Sequence, residues 1–561
     1  MNYDPRFAAV CGDARLPSYR TGRLIERKPQ AVEKDPSEGW DAQRLRHFLA
    51  SKLSSDQIIV VSNRQPFSHD VVNGKVTLMQ PASGLVTALE PLVRALSGTW
   101  IAHGSGVADA DFVDAADGWE VPVEHGSYRL RRIWMTQEER EGFYDGFSNS
   151  ALWPLCHRVH VKPTFLESDW QFYEAVNHRF ANAVVREARG QDPIVLVQDY
   201  QLALVPALVR AQLPLATVVT FWHIPWAHPQ QMEMCPWMGQ LVQGLLGSDV
   251  VGFQTTQDAR NFSDLAARID GPTIHSDSTE IFHDNHRTKV RTYPISIAWP
   301  TTEERYVTPT VKSCRLAAEK QWSIPKGGRI IIGVDRFDYT KGILERLQAF
   351  EELLTNRPPW QGVVRFVQVA VPTRTGLNEY KAFQQQVHAE VKRINAKFAV
   401  AGDDPIVLLD WHHDRAALDK LYRAADVCLV TSLHDGMNLV CKEFVAARDD
   451  EYGVLVLSQF AGAVDELSDA LVVNPYHTAQ VAESLHLALT MPKAEQRQRM
   501  QALRSIVKSA NVYRWAASML MDAAALRSNP GSTVAKSPRN FTSNTEIEVE
   551  IENLQNITVE A

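Results

Sequence analysis

The stretch that most constrains this chain is the apolar run Arg329-Ile330-Ile331-Ile332-Gly333-Val334, followed at once by Asp335-Arg336-Phe337-Asp338-Tyr339-Thr340-Lys341-Gly342. An unbroken apolar run of this kind marks a strand buried on both faces. Beyond it, Ile343, Leu344, Leu347, Phe350 and Leu354 recur at helical spacing. The turn therefore sits at the carboxyl end of a parallel strand and the amino end of a helix. Open α/β sheets bind ligands there, and the free backbone N–H groups favour anions. Arg336 and Lys341 add two positive charges, a fork that grips phosphate oxygens in pairs and a movable point charge. The stretch reads as a site for a diphosphate or sugar phosphate, against a plain salt-bridge network as the competing reading. Asp335 and Asp338 are spaced one residue too far apart for the Asp-x-Asp of phosphotransferring hydrolases.

The unit recurs along the chain. Ile58-Ile59-Val60-Val61 runs into Ser62-Asn63-Arg64, and Pro81-Ala82-Ser83-Gly84-Leu85 opens a helix through Val86, Leu89 and Leu92. Ile194-Val195-Leu196-Val197 delivers Gln198-Asp199-Tyr200, and the run 217–222 delivers His223-Ile224-Pro225. Polar groups at two consecutive strand ends point to a site, where either alone would be structural. After the crossover Tyr293-Pro294-Ile295-Ser296-Ile297, strands are predicted at 363–371, 406–409, 427–431 and 454–457. The fold class is thus α/β, with two doubly wound domains facing each other across a cleft. One wall carries Arg64, Asp199 and His223; the other carries Arg336, Lys341, Arg374, Asp435 and Glu443.

The expected boundaries are an extension over 1–55, partly disordered with a helix at 41–52, then domains over 56–297 and 298–490. A helical segment, 491–527, packs back across both, and a disordered tail, 528–561, ends the chain, although Glu alternates with Ile and Val over 546–552. Too little chain follows 527 for a fused phosphatase.

The 561 residues are 45% apolar and 22% charged, with a formal net charge of -8, which argues against nonspecific binding to nucleic acid or anionic membrane. Cys11, Cys156, Cys235, Cys314, Cys428 and Cys441 are scattered, giving neither a zinc pattern nor a disulfide frame. With no apolar signal core and no membrane-length run, the protein is expected in the cytoplasm. The Asn-x-Ser/Thr triplets at Asn261, Asn540 and Asn556 are then chance matches.

Other features are discounted. His103-Gly104-Ser105-Gly106 is half a dinucleotide fingerprint without its third glycine. Asp109-Ala110-Asp111, among Ala and Gly, reads as a solvated loop. Three aromatics over 144–153 suit a core as readily as a sugar. Asp410-Trp411-His412-His413-Asp414 reads as a loop and helix cap, since consecutive ligands point apart. Gly436 and its neighbours are expected to start a helix, with Asp435 and Glu443 eight residues apart on roughly one face.

Taken together, Ser62-Asn63-Arg64, Phe147-Ser148-Asn149, Leu152-Trp153-Pro154, Asp199-Tyr200, His223-Ile224-Pro225 and Gly252-Phe253-Gln254-Thr255 resemble the trehalose-6-phosphate synthases. So do Arg336-x-Asp338-Tyr339-x-Lys341-Gly342, Asp435-Gly436-Met437-Asn438-Leu439-Val440-x-Lys442-Glu443 and Leu457-Ser458-x-Phe460-Ala461-Gly462. The resemblance covers roughly residues 57–520, in the same order throughout. It implies a retaining glycosyltransferase of the GT-B type, with an acceptor domain over 56–297 and a nucleotide-sugar domain over 298–490. Asp199, His223, Arg336 and Lys341 would be catalytic. Ser83, Gly84, His223, Arg336, Lys341, the run Asp435, Gly436, Met437, Asn438, Leu439 and Val440, and Glu443 would hold a nucleotide-glucose. Arg64, Tyr144, Trp153, Asp199 and Arg374 would hold glucose 6-phosphate. Ser83 stands where the family has a glycine, Gln198 and Gln201 where it has histidines, and His434 where it has an arginine.

The resemblance implies no metal and no cofactor, no nucleic-acid or membrane partner, and leaves a homo-oligomer open. Catalysis would come from Arg336, Lys341 and helix amides placed where negative charge grows on the leaving diphosphate, without a protein nucleophile. The competing functions are a glucosyltransferase acting on glycerol 3-phosphate and a noncatalytic sugar-phosphate sensor. The donor, expected to be UDP-glucose, is not separated by sequence from GDP- or ADP-glucose.

Overall fold

The computed structural model describes residues 39–52, 57–80, 84–122, 128–274, 279–301 and 308–528. The expectations for most of the amino-terminal extension, for Ser83 and for the chain beyond 528 lie outside the described residues. The described residues from Trp40 onward form one compact unit.

Two sheets organise it. In the first, seven strands run parallel in the order His286–Thr292, Val250–Phe253, Thr217–Phe221, Ile194–Gln198, Ile58–Arg64, Thr99–His103 and Tyr128–Ile133, with antiparallel strands at both edges. In the second, Ile406–Leu409, Val364–Val371, Arg329–Arg336, Val427–Val430, Val454–Ser458 and Leu471–Val473 are all parallel. Strand order reverses beside Ile58–Arg64 in one sheet and beside Arg329–Arg336 in the other. These are the switch points where two loops diverge and leave a crevice. Arg64 and Arg336 are the last residues of those two strands.

Both sheets are buried on two faces, as their apolar runs require. Ile58 and Val60 pack into one core cluster while Ile59 and Val61 pack into another. Ile330, Ile332 and Val334 join the first of these clusters, whereas Ile331 points into a third. One apolar core is therefore continuous from lobe to lobe. Its bridge is the carboxyl-terminal segment. Helix Lys493–Ser509 packs on Leu439–Ala447 and Val454–Ser458, and helix Val512–Ser528 crosses to the first sheet, against Thr217–Phe221, Val250–Phe253 and Gly84–Leu96. Trp515 sets its ring edge-on to Phe221, with centroids 5.0 Å apart.

Local signals explain several element ends. Asp41 caps helix Ala42–Lys52 by accepting the Arg44 amide at 2.8 Å. Asp414 accepts the Ala417 amide at 2.7 Å and caps Arg415–Ala424, the role expected for that acidic cluster. The five described cysteines are buried and free.

Two expectations need correction. Asp109 is not in a solvated loop: it is fully buried, ion-paired at 3.0 Å with the equally buried Arg132, and it accepts from Gln65 Nε2 and the His69 amide. Its partners lie on strands distant in sequence, so the small residues around it carried no sign of them. Nor does a helix start at Gly436. Helix Leu439–Ala447 begins after Asn438, whose φ of 86° is left-handed and whose side chain accepts the Cys441 amide. Asp435 thus belongs to the preceding loop and shares no helical face with Glu443.

Candidate active site

Each wall of the interlobe cleft is a row of strand-end loops. On the second lobe, a short turn, Tyr339–Lys341, separates the strand from helix Ile343–Asn356. Gly342 makes that connection at φ 63°, and a Cβ there would lie 2.1 Å from the Thr431 carbonyl oxygen, so this position tolerates only glycine. The turn aims Lys341 Nζ at Asp435 Oδ2, 2.6 Å away, with both side chains largely buried. Ser432 and Asn438 also hydrogen-bond to that carboxylate. Burial alone would raise the Asp435 carboxyl, but the charge and hydrogen bond of Lys341 hold it below the ordinary carboxylate range.

Asp335 faces away from this wall, ion-paired at 2.8 Å with the buried Arg346. Asp338 serves the cleft arginines instead. It is fully buried, 3.1 Å from Arg374 and 3.5 Å from Arg336. Arg374, at a left-handed φ of 49°, also donates to the hydroxyls of Tyr380 and Tyr200 and covers the Trp153 ring at 3.9 Å. Trp153 is buried and supports that guanidinium from the opposite lobe. Glu443 accepts from the Tyr422 hydroxyl at 2.9 Å, and burial pushes its carboxyl up.

On the first lobe, Asp199 sits at φ 74° and accepts the amides of Tyr200 (3.0 Å) and His223 (3.1 Å). Burial pushes its carboxyl up to about 7, against the pull of those amides and of Arg374 and Arg336. His223 is pushed down to about 3 by burial, and its Nε2 lies 2.9 Å from Gln198 Oε1. Gln198 Nε2 donates to the Val197 carbonyl, so its oxygen faces the imidazole and the protonated nitrogen of a neutral His223 is Nε2. The expected acceptor arginine Arg64 donates to the Tyr144 hydroxyl at 3.4 Å. Burial would raise that hydroxyl, but Arg64, Arg374 and Arg336 together pull it down to about 8.

The lobes meet closely. A Cβ on Gly436 would lie 2.2 Å from the His223 carbonyl oxygen, and a Cβ on Gly84 would touch Leu439 at 3.3 Å. Met437 is buried, and Leu439 and Val440 form the first residues of their helix. The Arg158 amide donates to His434 Nδ1 at 3.1 Å across the cleft. A separate cavity of about 620 Å³ lies between segment Glu141–Leu152 and residues 376–380; none of Arg64, Arg336, Lys341, Asp435 or Glu443 lines it.

Of the sequence-predicted charged residues, Lys341 pairs with Asp435, and Arg64, Arg336 and Arg374 act together on Tyr144, while Asp199 is held by amides and Glu443 by Tyr422. Sequence reasoning passed over Asp338, Tyr200 and Tyr380, the groups that aim Arg374. Asp338 lay in plain view inside its motif, while Tyr380 repeats at helical spacing with Phe383 and Val387 and so read as core.

The chain is matched over residues 56–525 by the family described as Glycosyltransferase family 20. It is 38% identical over 483 residues to the trehalose-6-phosphate synthase of Mycobacterium avium (strain 104), covering 85% of this chain and 96% of that one. Among solved structures, it resembles the Burkholderia xenovorans alpha,alpha-trehalose-phosphate synthase in complex with glucose-6-phosphate, with a TM-score of 0.72, 30% identity, and coverage of 83% of this chain and 100% of the other. The E. coli trehalose-6-phosphate protein bound with UDP-2-fluoro glucose gives 0.73 at 31% identity, covering 83% and 99%. Each of those structures shares the two-lobed GT-B architecture described above.

Proposed function

Because the chain belongs to glycosyltransferase family 20, among the trehalose-6-phosphate synthases, we propose that it moves glucose from UDP-glucose to glucose 6-phosphate with retention, giving α,α-trehalose 6-phosphate. The observation that carries this reading is the gathering of three guanidiniums in the cleft: Arg64 donates to the Tyr144 hydroxyl at 3.4 Å, while Arg336 and Arg374 both lie over the Trp153 ring and share Asp338. Three guanidiniums gathered at one point are a site for a dianion such as a sugar phosphate. Lys341 lies on the same wall as two of them, paired to Asp435. The bound states of the E. coli and B. xenovorans relatives support the donor and the acceptor respectively.

In the proposed reaction the bond from glucose C1 to the diphosphate oxygen breaks, and a bond from C1 to O1 of glucose 6-phosphate forms on the same face. The acceptor proton passes to the departing phosphate oxygen. Arg336 and Lys341 stand where that oxygen gathers charge, which is where a fixed cation lowers the barrier most. Asp435, held ionised by Lys341, and the neutral His223 accept from donor hydroxyls, and Glu443 from ribose hydroxyls. Arg64, Tyr144 and Arg374 grip the acceptor phosphate, with Asp199 beside the acceptor ring and Trp153 beneath Arg374. The starts of helices Gly84–Leu96 and Leu439–Ala447 offer backbone N–H groups to the diphosphate. Apposition of the lobes keeps water from the glucosyl group.

The test is product analysis with UDP-, GDP- and ADP-glucose against glucose 6-phosphate and glycerol 3-phosphate, with the anomeric configuration read by NMR. The expected product is α,α-trehalose 6-phosphate from UDP-glucose. Turnover with glycerol 3-phosphate but not glucose 6-phosphate overturns the acceptor, and no turnover with any pair returns the protein to a sensor.

A further inference from the structure

The crossover between lobes, residues 293–299, is gripped at one residue from both sides. The Ile295 carbonyl accepts from Lys442 Nζ at 2.7 Å, and the Ile295 amide donates to Gln254 Oε1 at 3.0 Å. Lys442 comes from the second lobe, on the helix that carries Glu443; Gln254 comes from the first lobe, just past strand Val250–Phe253. Lys442 is only 1% exposed, and its charge is met by Glu466 at 2.6 Å. A buried lysine is a costly way to hold one carbonyl, because an apolar side chain of the same length would pack there without desolvating an ammonium. What the ammonium adds is direction: it binds both the crossover backbone and Glu466. Glu466 follows the turn Gly462–Asp465, whose Gly462 and Ala463 amides donate to the Asp435 and Met437 carbonyls. On the other side, Gln254 Nε2 donates to the carbonyl of His223 at 3.4 Å. That same carbonyl is the one against which Gly436 abuts. A continuous chain of polar contacts thus runs from Asp435 through Lys442, Ile295 and Gln254 to His223.

We infer that Lys442 and Gln254 are positioning residues that pin the crossover at Ile295, fixing His223 against the Asp435 loop when the lobes meet. The inference rests on the transferase reading above, since it is the reaction that needs His223 and Asp435 in register. Both side chains are buried beneath the cleft surface. Their loss separates two things that a general loss of stability would lower together: nucleotide binding, which rests mainly on Arg336, Lys341 and Glu443 of the second lobe, and transfer, which needs both walls.

The experiment compares Lys442→Met and Gln254→Leu with the unaltered protein. Affinity for UDP is measured by calorimetry, kcat and KM with UDP-glucose and glucose 6-phosphate, and the interlobe distance by spin labels at exposed Val107 and Val400. Each variant is expected to lose at least tenfold in kcat, keep UDP affinity within threefold, and broaden the label distance distribution. An unchanged kcat and distance distribution in both variants overturns the inference, and so does a fall in UDP affinity that matches the fall in kcat. If Lys442→Met fails to fold, Gln254→Leu alone decides by the same readings. If the unaltered protein shows no transfer, the function fails, and the distance distribution still reports on the pin.

Discussion

The two walls of the cleft treat charge in opposite ways. On the second lobe, ionic groups arrive paired: Lys341 with Asp435 and Arg336 and Arg374 with Asp338. On the first lobe, Asp199 and His223 are met mainly by backbone amides and a neutral amide side chain, and burial biases both toward their uncharged forms. One wall is suited to bear the charge that grows on a leaving phosphate; the other, apart from Arg64 and Tyr144 at its margin, is suited to meet hydroxyls. The difference teaches why so many groups at two sheet edges need not be redundant: the first wall adds Arg64 to the cations of the second and otherwise meets the cleft with neutral partners.

The comparison is tested most severely at Lys341. Lys341→Ala is expected to lower kcat by about 10²–10³-fold, while circular dichroism shows a folded protein; turnover near the unaltered level would remove the charged wall from catalysis. Next in size, Arg374→Lys removes a fork that reaches Asp338, Tyr380 and Tyr200 together. It is expected to raise KM for glucose 6-phosphate by roughly ten- to a hundredfold, on the order of 1.4–2.7 kcal/mol, with KM for the donor within a fewfold. Equal rises for both substrates would show that this guanidinium serves the donor as much as the acceptor phosphate.

Proton linkage separates the walls more finely. The Asp199 carboxyl is raised from 3.8 to about 7, so the folded state holds its proton more tightly than the unfolded one. Its contribution to stability is fully present below about pH 4 and is lost as pH rises toward 7. The Asp435 carboxyl is lowered, so its contribution is present above the ordinary carboxylate range and is lost as pH falls below that range. Chemical denaturation should show Asp199→Asn gaining on the unaltered protein between pH 4 and 7, by a few kcal/mol at most. For Asp435→Asn, the deficit should shrink only on acidification. Parallel pH curves for the two variants would erase the contrast. The smallest effect is expected at Glu443→Gln, a fewfold rise in donor KM with kcat retained, since the Tyr422 hydroxyl still has an oxygen to donate to.

Much of this was legible in the residues. Strands buried on both faces announce themselves as apolar runs, and polar residues at their carboxyl ends follow from the fold class, so both walls could be assembled before any coordinates. What was hidden is contact across sequence. Lys341 meets Asp435 only because adjacent strands place their loops side by side, and no local pattern records that pairing. Asp109 was misread because neighbouring Ala and Gly say nothing of Arg132 on a distant strand. The helix after Asp435 starts late because Asn438 adopts a left-handed backbone and caps the helix by accepting the Cys441 amide. Tyr200 and Tyr380 are apolar by periodicity and polar by one atom, and periodicity sees only the ring.

The path of helix Val512–Ser528 has a consequence for how the protein is made. It lays Trp515 against Phe221 and near His223, and its backbone starts with an amide bonded to the Ile297 carbonyl. A ribosome completes the first sheet at Thr292, about 220 residues before Val512 starts the helix that covers one of its faces. Until translation reaches the end of that helix, the nascent first lobe must keep an oily surface waiting, and the histidine of the cleft lacks its backing until Trp515 has been added.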